Sequence, residues 1–364
     1  MQAHGLRGSC LRSVAHPRDV AADRDTKMNT RAGNIRDAGE TPPARIPWAK
    51  VSIITAVLVI GVPLALLLYT FTADPLPVPP PVTDPLPQAN PPLEMAIYGM
   101  ETGVVYRRAG FTYRGGSWFE HRDSTVTATL VKHPRGDLLI DAGFGRHIDE
   151  QIKLDSLLSM TTGYKRFTSA AEQLNAIGYP RKSLRAILLT HAHWDHVSGI
   201  PDFPGTPVWV TAEEHRFIAK AGVRAAPARS ATEAATFEEY GVDDKPYLGF
   251  PRSRDVYSDG SIVIVPTPGH TPGSVIIFVT LPSNKRYAFV GDLVWRIEGI
   301  TLREEKPWLM RRQVDMDEKL LRSNLLHMIA IHERYPEITI VPAHDQRVFA
   351  EIPHLPSEPQ QPSR

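Results

Sequence analysis

The chain has 364 residues, 42% of them hydrophobic and 22% charged, with a formal net charge of +1. That balance belongs to an ordinary globular protein and leaves no basic footprint for nucleic acid. The single cysteine, Cys10, excludes a disulfide framework and a thiolate metal site, so a metal centre here must use nitrogen and oxygen donors.

Residues 1–48 are polar, rich in Arg, Gly and Asp, and show no sustained apolar period; they predict a disordered cytoplasmic tail, with Met28 as an alternative start. Val51 to Phe71 carry no charge, which meets the ~20 residues a helix needs to cross a bilayer. We expect a transmembrane anchor over 49–72, with Pro63 interrupting it. A cleaved signal peptide fits less well, because Phe71-Thr72-Ala73 is a poor small-x-small site, and a buried core helix is the other competing reading. Arg31, Arg36, Arg45 and Lys50 precede the span and no Lys or Arg follows until Arg107. The positive-inside rule then places the N-terminus in the cytoplasm and the large domain on the periplasmic side. Asp74 to Pro92 are crowded with proline and predict an extended linker over 73–92 that holds the domain off the membrane.

Residues 93–355 predict one α/β domain, and 356–364 a second disordered tail. Thr125–Val131 and Leu138–Ile140 read as strands about the turn Pro134 to Asp137. Ala186–Leu189, Ile262–Val265, Val275–Val279, Tyr287–Val290 and Ile338–Val341 read as buried strands. Phe167–Ile177 and Asp315–Tyr335 read as helices; in the second, Leu320, Leu321, Leu325, Met328 and Ile329 recur at helical spacing and Pro336 stops it.

Polar groups cluster just past several of these strands. Thr190-His191-Ala192-His193-Trp194-Asp195-His196 packs three imidazoles and a carboxylate into six residues, which is costly unless a cation binds there. His270, Asp292 and His344 each follow another apolar strand, and Asp141 follows Leu138–Ile140. The carboxyl edge of strands is where ligands collect in layered α/β proteins. The remaining histidines, including His121, His133, His147, His215, His327, His332 and His354, are isolated and read as non-ligands. Trp194, Phe144, Trp295, Trp308 and Met310 are candidates for an apolar wall beside the metals, or for core packing.

His-x-His-x-Asp-His followed by later His, Asp and His resembles the signature of the metallo-β-lactamase superfamily, over roughly residues 95–350. The resemblance implies a four-layer αββα sandwich with the metals at one edge between the sheets. It implies one zinc on His191, His193 and His270, a second on Asp195, His196 and His344, and Asp292 bridging both, with Asp141 orienting a donor from behind. The activity implied is attack on a carbonyl by a hydroxide held between two zinc ions, with Asp292 or Asp195 moving the proton. Among the branches, the chain is most similar to the N-acyl-homoserine-lactone lactonases. Asp292 argues against a main β-lactamase role, and His193 against the flavodiiron proteins. Trp295 stands where those lactonases commonly have a Tyr; an indole donates a hydrogen bond but is no acid. The substrate expected is a small molecule with a lactone, ester or related carbonyl. A mononuclear iron dioxygenase of sulfur compounds, a β-lactamase-type amide hydrolase and a non-catalytic binding module are the competing readings.

Overall fold

The computed structural model describes residues 47–220, 222 and 225–356. Met28, Cys10 and all but the innermost residues of the two expected disordered tails lie outside that range. The chain divides into two units, Met1–Ile54 and Thr55–Arg364.

A continuous helix of 22 residues covers Trp48–Tyr69; its most apolar 18-residue stretch has a mean hydropathy of 2.7, and none of its side chains is buried. Pro63 does not break it. The proline has no N–H and its ring crowds the carbonyl one turn back, and the helix widens into a π segment over Val57–Gly61 immediately before it.

Twelve strands follow among the described residues: β1 (Ala96–Val105), β2 (Ser124–Lys132), β3 (Asp137–Ile140), β4 (Tyr164–Arg166), β5 (Leu184–Leu188), β6 (Val208–Val210), β7 (Phe237–Glu239), β8 (Arg254–Asp255), β9 (Ile262–Pro266), β10 (Val275–Thr280), β11 (Arg286–Gly291) and β12 (Ile338–Pro342). They form a seven-stranded sheet in the order β4-β1-β2-β3-β5-β6-β7 and a five-stranded sheet in the order β12-β11-β10-β9-β8. The pairs β3–β5, β5–β6, β6–β7 and β11–β12 are parallel and the rest antiparallel.

Side-chain alternation distributes each sheet between two cores. In β9, Ile262 and Ile264 face the other sheet, where they meet Ile97, Leu138, Ile140 and Leu188. Val263 and Val265 face away, onto Leu325, Met328 and Ile329 of the helix Glu318–Arg334. The outer face of the larger sheet packs through Leu130, Leu139 and Ile187 against Leu174, Ile218 and Ala228 of the helices Ala170–Ala176, Ala212–Lys220 and Ala226–Thr232. Helix, sheet, sheet and helix therefore stack in four layers, as expected.

The proline-rich segment departs from expectation. It is not a free spacer. Leu76 and Val82 are buried in the same core as the helix Glu318–Arg334. Leu76 N donates to Arg303 O at 2.8 Å, Arg303 Nε donates back to Leu76 O at 3.0 Å, Asn90 N donates to Asp259 O at 2.7 Å, and Tyr335 Oη donates to Asp84 O. An extended proline backbone leaves its carbonyls free to accept, and its few aliphatic residues reach an apolar groove that would otherwise face water.

Candidate metal centre

Five polar residues sit just past the carboxyl ends of parallel or co-directed strands. Asp141 follows β3 and His191 follows β5; His270 follows β9, Asp292 β11 and His344 β12. Two glycines allow this crowding. Gly269 has φ +145°, and a Cβ there would lie 2.4 Å from Leu321 N; Gly291 has φ +53°, and its Cβ would press on Thr190 at 3.0 Å. The short helix Trp194–Val197 begins inside the His-rich motif and carries Asp195 and His196, with the His196 ring 4.0 Å from that of His191.

All seven candidate donors come together in two groups. His191, His193, His270 and Asp292 form one, and Asp195, His196 and His344 the other, with the donor atoms inside each group within 4.8 Å of one another. Asp292 faces both. Its Oδ2 lies 3.3 Å from His270 Nε2 and 3.9 Å from His191 Nε2; its Oδ1 lies 3.0 Å from His344 Nε2 and 3.5 Å from His196 Nε2. His344 Nε2 is also 3.5 Å from Asp195 Oδ2.

The donor set fits a cation. His191 Nε2, His196 Nε2 and Asp292 Oδ1 are buried without a hydrogen-bond partner. Asp292 Oδ1 is near His344 Nε2 but not aligned to accept from it. Native proteins rarely leave such atoms orphaned. Two donors bound at about 2.0 Å to one tetrahedral zinc stand about 3.3 Å apart, and the 3.3 Å and 3.5 Å separations across Asp292 match that spacing.

The far side of each ring is held. His196 Nδ1 lies 2.8 Å from Asp141 Oδ2, and the same carboxylate accepts from Thr190 N and Thr190 Oγ1, both at 2.8 Å. His270 Nδ1 lies 2.7 Å from Asp315 Oδ1, and His344 Nδ1 2.8 Å from Thr125 O. With Nε2 directed at Asp292, the network assigns the proton of each of these three rings to Nδ1.

Electrostatics follow the partners. Burial, then the neighbouring imidazoles, pushes His191 and His193 far below the usual histidine value, which keeps their lone pairs free. Burial opposes the charged form of His196, but Asp141 and Asp292 outweigh it and raise its pKa. Burial likewise opposes charge on Asp292, and His344, His196 and His270 together hold its carboxyl well below the usual range.

Several supporting residues were not legible in the sequence. Glu214 is buried and accepts from Ala192 N at 2.6 Å, Thr271 Oγ1 at 2.7 Å and Gly273 N at 3.0 Å, tying the first motif to the His270 loop. Lys306 donates to Asp315 Oδ1 at 2.6 Å and to Asp292 O at 2.9 Å. Arg296 donates to His344 O at 2.6 Å.

A cavity of about 610 Å³ opens onto the two groups, lined near them by His193, Asp195, Asp292 and His344. Of the expected apolar wall, Trp194, Trp295 and Met310 line it. Phe144 does not; it is buried behind Trp194, ring centroids 5.2 Å apart. Trp308 is half exposed and lies off the lining. Trp295 directs its N–H at Asp292 Oδ2, 2.8 Å away.

The family model of the Metallo-beta-lactamase superfamily matches residues 121–340. The chain belongs to the metallo-β-lactamase superfamily. Members of this superfamily typically bind zinc. Among curated relatives, "Probable metallo-hydrolase Rv2300c" of Mycobacterium tuberculosis is 28% identical over 246 residues, 60% of this chain and 74% of its own length. The "N-acyl homoserine lactonase AttM" of Rhizobium radiobacter is 23% identical, over 62% of this chain and 84% of its own. A mutant of B. thuringiensis AiiA, solved with N-decanoyl-L-homoserine at its active site, superposes with a TM-score of 0.57 at 17% identity, covering 71% of this chain and 97% of that one. At that identity the likeness speaks for the fold alone. Superfamily membership and these relatives make the protein a metal-dependent hydrolase.

Proposed function

We propose that the protein is a membrane-anchored dinuclear zinc hydrolase acting on a lactone, ester or related carbonyl. The observation that carries this reading is Asp292, whose two carboxylate oxygens face two separate sets of imidazoles with buried, unpartnered nitrogens. His191, His193 and His270 would hold one ion, Asp195, His196 and His344 the other, and Asp292 would bridge them. When bound, such ions supply Lewis acidity and a water that ionises near pH 7, as in other zinc hydrolases.

The protein's own groups do the remaining work. Asp141, Asp315 and the Thr125 carbonyl fix three imidazole planes from behind and set their tautomers. Asp292 accepts from Trp295 at Oδ2, which orients the carboxylate and leaves Oδ1 free for a cation. Asp195 borders the cavity beside His344 and would carry a proton between solvent and a leaving oxygen. Trp295 commits its N–H to Asp292, so this chain has no phenol-like acid at that position. The wall of Trp194, Leu158, Phe111 and Met310 suits an acyl chain or aromatic group. AttM relatives are named as lactonases of acyl homoserine lactones, which supports a lactone or ester bond over an amide.

The helix Trp48–Tyr69 is the anchor in this reading. Its 22 residues rise about 33 Å, enough to cross a hydrocarbon core of ~30 Å. Lys50 at its start, with Arg31, Arg36 and Arg45 before it, favours a cytoplasmic N-terminus and a periplasmic catalytic domain.

A panel of lactones, aryl esters and β-lactams offered to the zinc-loaded full chain tests the substrate class. Turnover of lactones or esters with β-lactams untouched is expected. Hydrolysis of β-lactams alone would overturn the assignment, and oxidation of thiols with consumption of dioxygen would replace it with the iron oxygenase.

A further inference from the structure

The mouth of the cavity has a composition that its chemistry does not require. Three segments border it: the loop 106–123, the helix Ser156–Thr161 and the helix Trp308–Val314, which contribute Phe111, Leu157 and Met310 to the lining. The same segments turn large apolar side chains outward. Phe119 is 88% exposed, Met160 85%, Leu157 56% and Trp308 46%. Among the described residues, most of the exposed large apolar side chains beyond residue 93 sit on these segments. Scattered single residues of this kind need no explanation, but a set concentrated round one opening marks an interaction surface.

The end of the apolar helix is fixed to that same rim. Two residues after Tyr69, Phe71 packs against Phe111 and Trp118, with ring centroids 5.4 and 4.4 Å away. Thr70 Oγ1 accepts from Leu309 N at 3.4 Å, Phe71 O accepts from Gly115 N at 2.8 Å, and Thr72 O accepts from Arg114 Nε at 2.9 Å. Two of the three rim segments are thus tied to the chain within three residues of the helix end. A long flexible spacer would let the opening face anywhere; this attachment keeps it at the level where the helix leaves its apolar surroundings.

We infer that the rim is a membrane-contacting surface continuous with the anchor, and that the enzyme draws its substrate, a carbonyl amphiphile with an acyl chain, directly from the bilayer. The inference rests on the anchored-hydrolase reading above. Phe119, Met160, Leu157 and Trp308 enter the interfacial layer, where aromatic and aliphatic side chains settle favourably. The acyl chain stays in lipid along Phe111 and Met310 while its carbonyl reaches Asp195 and His344 at the base.

Two measurements on the full chain in phosphatidylcholine vesicles test this. In a Cys10→Ser background, Phe119→Cys, Met160→Cys and Ser283→Cys are each labelled with an environment-sensitive fluorophore. Ser283 lies in the β10–β11 turn, at the far end of β11 from Asp292. Lipid-borne nitroxide is expected to remove at least half the signal at 119 and 160 and almost none at 283. Equal, weak quenching at all three sites on vesicle-bound protein would overturn the inference while sparing the anchor. Protein that fails to float with the vesicles would overturn both. In the second measurement, 4-methylumbelliferyl oleate is placed either in the enzyme-bearing vesicles or in a separate population. Several-fold faster turnover in the shared vesicles is expected; equal rates would show uptake from water and refute bilayer delivery. Failure to cleave any lactone or ester, even a soluble one, would instead remove the proposed substrate class beneath it.

Discussion

His270 Nδ1 and Asp315 Oδ1 are 2.7 Å apart, and the same carboxylate oxygen accepts from Lys306 at 2.6 Å. Asp315 and Lys306 are both buried. Burial opposes charge on Asp315, but Lys306 and His270 together outweigh it and hold the carboxyl below its usual range. The imidazole is therefore gripped by an ionised acceptor whose own position is locked. Asp315→Ala leaves the Lys306 ammonium unpaired, at a cost of about 3 kcal/mol, and lets the ring rotate, weakening metal affinity by roughly 10- to 100-fold. Competition titration with a zinc chelator and a thermal melt check the two effects separately.

Gly269 places His270 where a side chain could not go. A Cβ would sit 2.4 Å from Leu321 N at φ +145°. Gly269→Ala forces the loop off the helix Glu318–Arg334, costing of order 1–3 kcal/mol for the strained backbone alone. Zinc content and turnover should fall together in this variant, with far-ultraviolet circular dichroism unchanged.

Removing metal should soften the protein as well as silence it. Orphaned nitrogens and crowded carboxylates occupy the site without ions. At a ligand concentration of 100 Kd, one bound ion adds about 2.7 kcal/mol to folding stability. Treatment with a chelator should lower Tm by several degrees, and added zinc should restore it; Tm unmoved by chelation would argue that these residues bind nothing.

Asp345 gives a pH prediction independent of metal. Burial alone would raise its carboxyl, but hydrogen bonds from Arg347 and Ile297 N, with Arg296 nearby, hold its pKa below the usual value. A depressed carboxyl contributes stability above its unfolded pKa of about 4 and loses it as pH falls through the folded value. In metal-free protein, Asp345→Asn should melt below wild type at pH 7, with the gap closing as pH falls towards 3. A gap that does not change with pH would contradict this.

What the sequence discloses and what it conceals divide along sequence distance. His191, His270, Asp292 and His344 were readable because each follows an apolar strand, and strand ends are visible as changes of pattern. The helix Glu318–Arg334 was visible through Leu321, Leu325 and Met328 at one face. Glu214, Lys306 and Arg296 were not visible, since a buried charge shows its partner only once the chain has folded. The long strand β1 also escaped notice. Its Gly99 and Gly103 interrupt the apolar pattern, and in the fold they make room for Phe349 and Phe144, whose ring carbons would lie 2.9 and 2.3 Å from an added Cβ. The proline-rich segment misled for the opposite reason: its composition sets an extended backbone but not whether Leu76 and Val82 find a groove to fill.

The most direct test of the account is the metal content of natively purified full chain, by elemental analysis, beside Asp292→Ala. Two zinc ions per chain are predicted for the wild type, with the variant losing the second ion and most of its turnover. One iron per chain, or a variant with unchanged zinc and unchanged rate, would contradict it.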